Sequence, residues 1–404
     1  MKKGKILIAL LIFSGILLFL SLIKFKNPLD NTPGIEDNCF VMAIAIDKGI
    51  EDKENVRITI SSEKFSGDEG SNSSSSSNSS KTPDVISCEG KTIFEAIRKF
   101  STFYNKKLFL GHTKCLLIGE DIAKEDLLNY LDFYARDHEI RFNYTISVVK
   151  GNTGEAVLRL GDKNKDYILD TLQGIFKNTE RLSVSKNIKL KDALQMFNNK
   201  YIATYVPSIK IISKKDAEKK ETIEIVVDGF AVFNGTKLNG FISDNTSRGL
   251  NWINGNVQST IVVIKDKDDS NVSLEVLNSK SEIEVELNDN IPKANITLEV
   301  SSNFVEQMSQ KFSYSTEDIN FLLEAQNDKI KNEIESALKY LQKNGLDAIG
   351  ISDKIYHKYP LKWDDIKENW QELFKNMDIN VTVKSKINRT YHIEEVIRNE
   401  RGDK

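Results

Sequence analysis

Lys114-Cys-Leu-Leu-Ile118, Glu125–Ala135 and Tyr144-Thr-Ile-Ser-Val-Val149 decide the fold. Cys115–Ile118 is a short apolar run of the kind a buried strand carries. In Glu125–Ala135 the period changes: Leu127, Leu128, Leu131 and Tyr134 lie at helical spacing. Tyr144–Val149 returns to β-branched residues. The segment therefore reads strand, helix, strand.

Toward the N-terminus, Phe40–Ile46 and Asn55–Ser61 are strand-like. The second alternates Val56, Ile58 and Ile60 against Arg57, Thr59 and Ser61. Asp47-Lys-Gly-Ile-Glu-Asp-Lys-Glu54 between them reads as a hairpin loop. A short strand at Val85–Cys88 precedes a helix at Lys91–Phe100, in which Ile93, Ile97 and Phe100 share a face. Residues 152–204 are mostly helical, with Tyr167–Phe176 and Leu190–Phe197 the clearest segments.

Toward the C-terminus, Ser213–Glu221 is lysine-rich and reads as a boundary or a charged turn. Strand patterns follow at Ile223–Val227, Gly229–Phe233, Gln258–Ile264, Val272–Val276, Ile283–Leu287 and Ala294–Val300. Glu282, Glu284 and Glu286 alternate with Ile283, Val285 and Leu287, as on a sheet with one wet face. Gly229-Phe-Ala-Val-Phe233 with Gly240 reads as a hairpin. A long helix is expected over Thr316–Asn344, with Ile319, Leu323, Ile330, Ile334, Leu338 and Leu341 as its apolar stripe. Ser315-x-x-Asp318 caps its start and Gly345 ends it. Trp363 and Trp370 lie on a helical pattern before a strand at Ile379–Val383.

The first 26 residues are of another kind. Lys2, Lys3 and Lys5 precede an uncharged run from Ile6 to Ile23, closed by Lys24 and Lys26. As a helix this run spans roughly 27 Å, close to the ~30 Å hydrocarbon core of a bilayer. A cleaved secretory signal is the competing reading. The run is longer than a usual signal core and ends without Ala-x-Ala or a cysteine. Lysine balance leans toward a cytoplasmic N-terminus and an external body. The expected fold class is thus α+β and multidomain, two to three mixed α+β domains on an N-terminal membrane-anchor helix. The expected layout is an anchor or signal sequence (1–26), a stalk (27–37), an N-terminal α+β region (38–215, with subdomains 38–150 and 151–215) and a C-terminal α+β domain (222–396). Ser66–Pro83, centred on the serine tract Ser71–Ser80, reads as a floppy surface loop.

A net charge of −3 over 404 residues gives no nucleic-acid footprint. Cys39, Cys88 and Cys115 have neither metal spacing nor a disulfide framework, and read as buried free thiols. One bridged pair is the alternative. No nucleophile elbow, zinc motif, phosphate-binding glycine loop or Cys-x-x-Cys is found. The four histidines, His112, His138, His357 and His392, do not pair at ligand spacing. His112 is a candidate general base, against the plainer reading of a turn or core histidine. Arg136-Asp-His-Glu-Ile-Arg141 is a candidate carboxylate-binding cluster, against a salt-bridged helix end. No catalytic, cofactor-binding or metal residue is assigned.

One ordered set of segments carries a family likeness. It comprises Ala45-Ile-Asp47, Gly90-Lys-Thr-Ile-Phe-Glu-Ala96, Leu110-Gly-His112, Leu117-Ile-Gly-Glu120 with Ala123, and Arg136–Arg141. Pro207, Asp228–Phe233 with Lys237-Leu-Asn-Gly240, Arg248-Gly-Leu-Asn-Trp252, and Pro360-Leu-Lys-Trp363 with Trp370 follow. Over about residues 36–390 the chain resembles the C subunit of spore germinant receptors, the GerAC-type family. The resemblance implies a three-domain α+β protein at the outer face of the spore inner membrane. It implies a complex with two polytopic membrane partners, the A and B subunits, that starts germination in response to nutrients. It implies no enzymatic activity and no metal. Family members typically end their signal at a lipidated cysteine, whereas here Cys39 already lies in the first strand. A retained anchor helix would do the same physical job. The alternative is a membrane-tethered envelope solute-binding protein or hydrolase, with His112, Arg136, Asp137 and Arg141 as its only candidate cluster.

Overall fold

The computed structural model describes residue 14 and residues 37–62, 84–164, 168–215, 221–308 and 315–388. The expected anchor run (Ser14 aside), most of the stalk and the serine tract lie outside the described residues. Among the described residues no helix is long and apolar enough to cross a membrane.

β1 (Asn38–Lys48), β2 (Val56–Ser62) and β3 (Asp84–Gly90) form an antiparallel meander. Gly90 leads into α1 (Ile93–Lys99), whose start is capped by the Thr92 hydroxyl accepting from the Glu95 N–H. β4 (Lys107–Phe109) pairs in parallel with the first residues of β1. Then come β5 (Cys115–Gly119), α2 (Glu120–Ala123), α3 (Leu127–Arg136) and β6 (Thr145–Val149). α4 (Gly154–Asn164), α5 (Ile168–Thr179) and α6 (Leu190–Asn198) lead to β7 (Tyr205–Lys215), β8 (Glu221–Asn234) and β9 (Lys237–Ile242).

The nine described strands make one sheet, ordered β3-β2-β1-β5-β6-β7-β8-β9 with β4 beside β1. Its centre, β1-β5-β6-β7, is parallel. Parallel strands are covered on both faces, which is why β1 and β5 are apolar at both parities. Ile44, Ile46, Leu116 and Ile118 join the core that includes Ile93, Leu127, Leu131 and Ala193 of α1, α3 and α6. Ala43, Ala45 and Leu117 join a second core with Val157, Leu158, Leu169 and Phe176 of α4 and α5.

β7 and β8 pair antiparallel from Tyr205↔Val232 to Lys215↔Glu221. Of the lysine-rich stretch expected as a boundary or a charged turn, the described residues Ser213–Lys215 and Glu221 belong to this β7–β8 pairing. β8 and β9 complete the first sheet, although they fall inside the expected 222–396 domain.

α7 (Asp244–Ile253) leads to a second sheet, β10 (Thr260–Lys265), β11 (Asn271–Asn288), β12 (Ile291–Gln307) and β13 (Asp378–Asn388), in the order β10-β11-β12-β13. Between β12 and β13 run α8 (Thr316–Asn344), α9 (Ile351–Lys358), α10 (Pro360–Ile366) and α11 (Trp370–Lys375). α8 has the expected caps: the Ser315 hydroxyl accepts from the Asp318 N–H, and Gly345 closes the helix in the left-handed region at φ 68°. Its buried stripe is Leu322, Gln326, Ile330, Glu333, Ile334, Ala337, Leu338 and Leu341, with Ile319 and Leu323 half-buried. One apolar core runs from the first sheet through α7 and α8 into the second.

Candidate functional site

Parallel β1, β5 and β6 end together, and a cleft of about 500 Å³ opens beyond their carboxyl ends. This is where ligands settle in open α/β sheets. Asp47, next to last in β1, forms its floor at 2% exposure. Its carboxylate accepts the Gly154 and Glu155 N–H groups, each at 2.8 Å. The positive start of α4 is thus filled by the protein's own acid. Burial pushes the Asp47 carboxyl up to about 6, although the two N–H bonds pull the other way.

The Glu155 side chain reaches β2 and β3. It accepts from Arg57 Nε at 2.6 Å, Arg159 Nε at 2.7 Å and Ser87 Oγ at 3.0 Å. Against the burial that would raise it, these bonds hold Glu155 down at about 2. Arg57 also reaches Glu89 at 3.1 Å, so α4 is pinned across β2 and β3. At the rim, Lys48 pairs with Glu125 at 2.5 Å and Lys124 with Glu120 at 2.8 Å. The Gly151 N–H donates to Glu120 at 2.7 Å. The cleft therefore offers a ligand a polar rim whose charges, among the described residues, are largely matched.

Other acids act as joints. Half-buried Asp228 accepts from Lys210 at 2.7 Å and Lys150 at 3.2 Å, tying β7 and β8 to the residue that follows β6. Asp347 accepts the Ile351 and Ser352 N–H groups at 3.0 and 2.7 Å, capping α9, and burial raises its carboxyl. It lies at a second cleft, of about 400 Å³, between Tyr201 and Asn234 on one side and Trp370 on the other. Glu333 of α8 holds Arg248 and Trp252 of α7.

The candidates named from sequence do not converge. His112 is exposed and stands edge-on to Phe40, ring centroids 5.1 Å apart. Arg136 pairs with Asp132 one turn back on the solvent side, at 2.7 Å. Asp137 accepts from the Glu139 N–H at 2.8 Å, while Arg141 is exposed. Among the described residues no hydrogen bond or ion pair joins His112 to Arg136, Asp137 or Arg141. His138 and His357 are exposed, and His392 lies outside the described residues. Cys39 and Cys115 are buried and Cys88 is half-buried, all free. Among the described residues no group of His, Cys, Asp and Glu is placed to hold a metal ion. Sequence reasoning missed Asp47 and Glu333. The available signal for Asp47 was an acid ending an apolar strand one residue before a glycine-containing turn.

Residues 32–211 match the family model of the spore germination protein N-terminal domain. Residues 228–391 match that of the spore germination B3/GerAC-like C-terminal domain. Spore germination protein KC of Bacillus subtilis (strain 168) is 29% identical over 325 residues, covering 76% of this chain and 78% of the relative. Spore germination protein B3 of the same organism is 24% identical over 307 residues, covering 75% and 79%. The crystal structure of the GerBC protein superposes with a TM-score of 0.53 at 18% identity, covering 85% of this chain and 96% of that one. That likeness extends to the fold.

Proposed function

The chain belongs to the GerAC-type family of spore germination proteins, and from that premise we propose that it is the membrane-anchored C subunit of a nutrient germinant receptor. In this reading it is non-enzymatic and works in assembly or in the signal transfer that starts germination. The observation that carries the reading is the pair of family segments, 32–211 and 228–391, in order over nearly the whole body. The structure supports it through the fate of four acids, three buried and Asp228 half-buried. Asp47, Asp228, Glu333 and Asp347 are each spent on backbone or cationic partners that lock elements together.

The apolar Ile6–Ile23 run supports a body held at the spore inner membrane on its extracytoplasmic face, beside two polytopic subunits, A and B. The alternative, a tethered solute-binding protein or hydrolase, rested on His112 with Arg136, Asp137 and Arg141. Arg136 turned to Asp132, and Asp137 bound to the Glu139 backbone, leave it no converging set.

The deciding experiment is loss of the gene in a sporulating host. The expected result is a blocked response to one class of nutrient with vegetative growth unchanged, and co-purification of the tagged chain with two polytopic membrane proteins. Purified protein that turns over a substrate, with activity lost in His112→Ala, would refute the receptor reading.

A further inference from the structure

We propose that the outer face of α1 and the turn after it, from Phe94 to Lys107, docks on an anionic lipid surface. The proposal rests on the membrane tether of the preceding reading and adds a second contact to it.

The first observation is charge. Residues 91–114 carry Lys91, Arg98, Lys99, Lys106, Lys107 and Lys114 against a single acid, Glu95, in a chain whose net charge is −3. The second is exposed aromatic surface within that basic stretch. Phe94 is 50% exposed and Phe103 58% exposed. Each is held in place from behind: Phe94 by Phe133 at 6.1 Å, and Phe103 by buried Phe100 at 5.6 Å. The Arg98 guanidinium lies 4.9 Å over the Phe94 ring, so cation and aromatic face solvent as a unit. Nearby, Glu95 pairs with Lys99 at 2.8 Å and Glu139 with the exposed Lys107 at 3.6 Å. Such pairs are weak and readily exchanged for headgroup phosphates.

The third observation is place. β4 begins at Lys107, which pairs with Asn38, and Phe109 pairs with Phe40. This face therefore adjoins the point where the chain enters the body from its apolar N-terminal run. Fourteen residues lie between Ile23 and Asn38, a reach of roughly 50 Å when fully extended. A tether of that length keeps the face near the bilayer. There the phenyl rings enter the headgroup boundary, and the lysine and arginine stems run alongside them with their charges among anionic headgroups.

The test uses the full chain with vesicles of phosphatidylcholine alone or mixed with phosphatidylglycerol, both carrying brominated acyl chains. Phe103→Trp reports on the face, and Ile291→Trp reports on the exposed turn between β11 and β12 in the second sheet. Native Trp252, Trp363 and Trp370 are buried and give a constant background. The expected result is loss of Phe103→Trp emission on anionic vesicles, little loss on neutral ones, and none for Ile291→Trp. Adding Arg98→Glu with Lys107→Glu restores emission. Co-sedimentation with both vesicle types but no quenching at position 103 overturns the docking face and leaves the tether standing. Co-sedimentation with anionic vesicles alone, with quenching, supports the face and sinks the tether. No co-sedimentation with either sinks both. If charge reversal instead releases the polytopic subunits while emission never changes, the face belongs to a protein partner and the lipid proposal falls.

Discussion

Trp252 donates its indole N–H to Glu333 at 2.9 Å, and Arg248 grips the same carboxylate through Nε at 2.7 Å and through Nη2. Arg248 and Trp252 are four residues apart on α7, so both project from one face onto α8. Glu333 is 1% exposed. A carboxylate is tolerated there because a bidentate guanidinium and an indole donor replace water. Removing the acid strands a half-buried guanidinium. Glu333→Ala is therefore expected to cost about 3–5 kcal/mol in denaturant unfolding. Trp252→Phe, which leaves the ion pair intact, should cost nearer 2 kcal/mol. The double variant should fall short of the sum of the two, because both act on one carboxylate. A loss under about 1 kcal/mol for Glu333→Ala would show that the joint does not hold the helices.

Gly249 sits between those two donors. A Cβ there would stand 2.0 Å from the Glu333 carbonyl oxygen, a helix backbone atom that cannot swing away. Gly249→Ala should force α7 off α8 and cost about 1–3 kcal/mol. At Gly229 a Cβ would stand 2.0 Å from the Ile242 carbonyl oxygen, and φ is also +76°. Gly229→Ala combines clash with backbone strain, so its midpoint should lie below that of Gly249→Ala. Thermal melts in the reverse order would contradict this account.

What the sequence revealed and concealed follows from how local each signal is. The strand–helix–strand reading of 114–149 and the caps of α8 rest on neighbours in sequence, and both hold. β7 stayed hidden because Pro207 lies within it, and proline demotes a strand. The structure places Pro207 at a bulge, where the ladder shifts before Ile209. β11 reads as two strands because polar Asn278–Glu282 interrupts the apolar alternation. A second bulge between Val276 and Asn278 carries the same backbone ladder through it. Gln326 and Glu333 look like wet-face residues of an amphipathic helix. Their partners, Ser302 on β12 and Arg248 with Trp252 on α7, are distant in sequence. The Arg136–Arg141 cluster reads either as a carboxylate-binding site or as a salt-bridged helix end, because five ionisable groups are adjacent. In the structure Arg136 pairs with Asp132 at the helix end, and Asp137 accepts the Glu139 N–H.

The three thiols should separate by reactivity. Cys115 is buried in β5, and burial pushes its thiol up to about 12, so little thiolate forms near neutrality. Cys39 is also buried, while Cys88 is half-buried with its thiol raised by burial. Native protein treated with a thiol reagent should label slowly at Cys88 alone. All three should label at once in denaturant. Fast native labelling at Cys115 would mean that β5 opens.

Asp47 should leave its mark on stability between pH 4 and 6. Its carboxyl lies near 3.8 when unfolded and about 6 when folded. Below the lower value both states are protonated, and the full contribution is present. Between the two values the folded state binds more protons, so stability falls as pH rises. A shift of this size corresponds to about 3 kcal/mol, lost by the time pH passes the folded value. Glu155 acts in the opposite sense: its folded value of about 2 lies below the ordinary 4.5, so its contribution is lost as pH falls below that ordinary value. Together the two residues favour a stability maximum near pH 4–5 in this part of the molecule. Asp47→Asn keeps an acceptor at the start of α4 and removes the titration. Unfolding measured across pH should show the decline from 4 to 6 flattened in this variant, with the loss at lower pH retained. Parallel profiles for the two proteins would mean that the Asp47 carboxylate is stabilised in place by the Gly154 and Glu155 N–H groups, and that burial does not win.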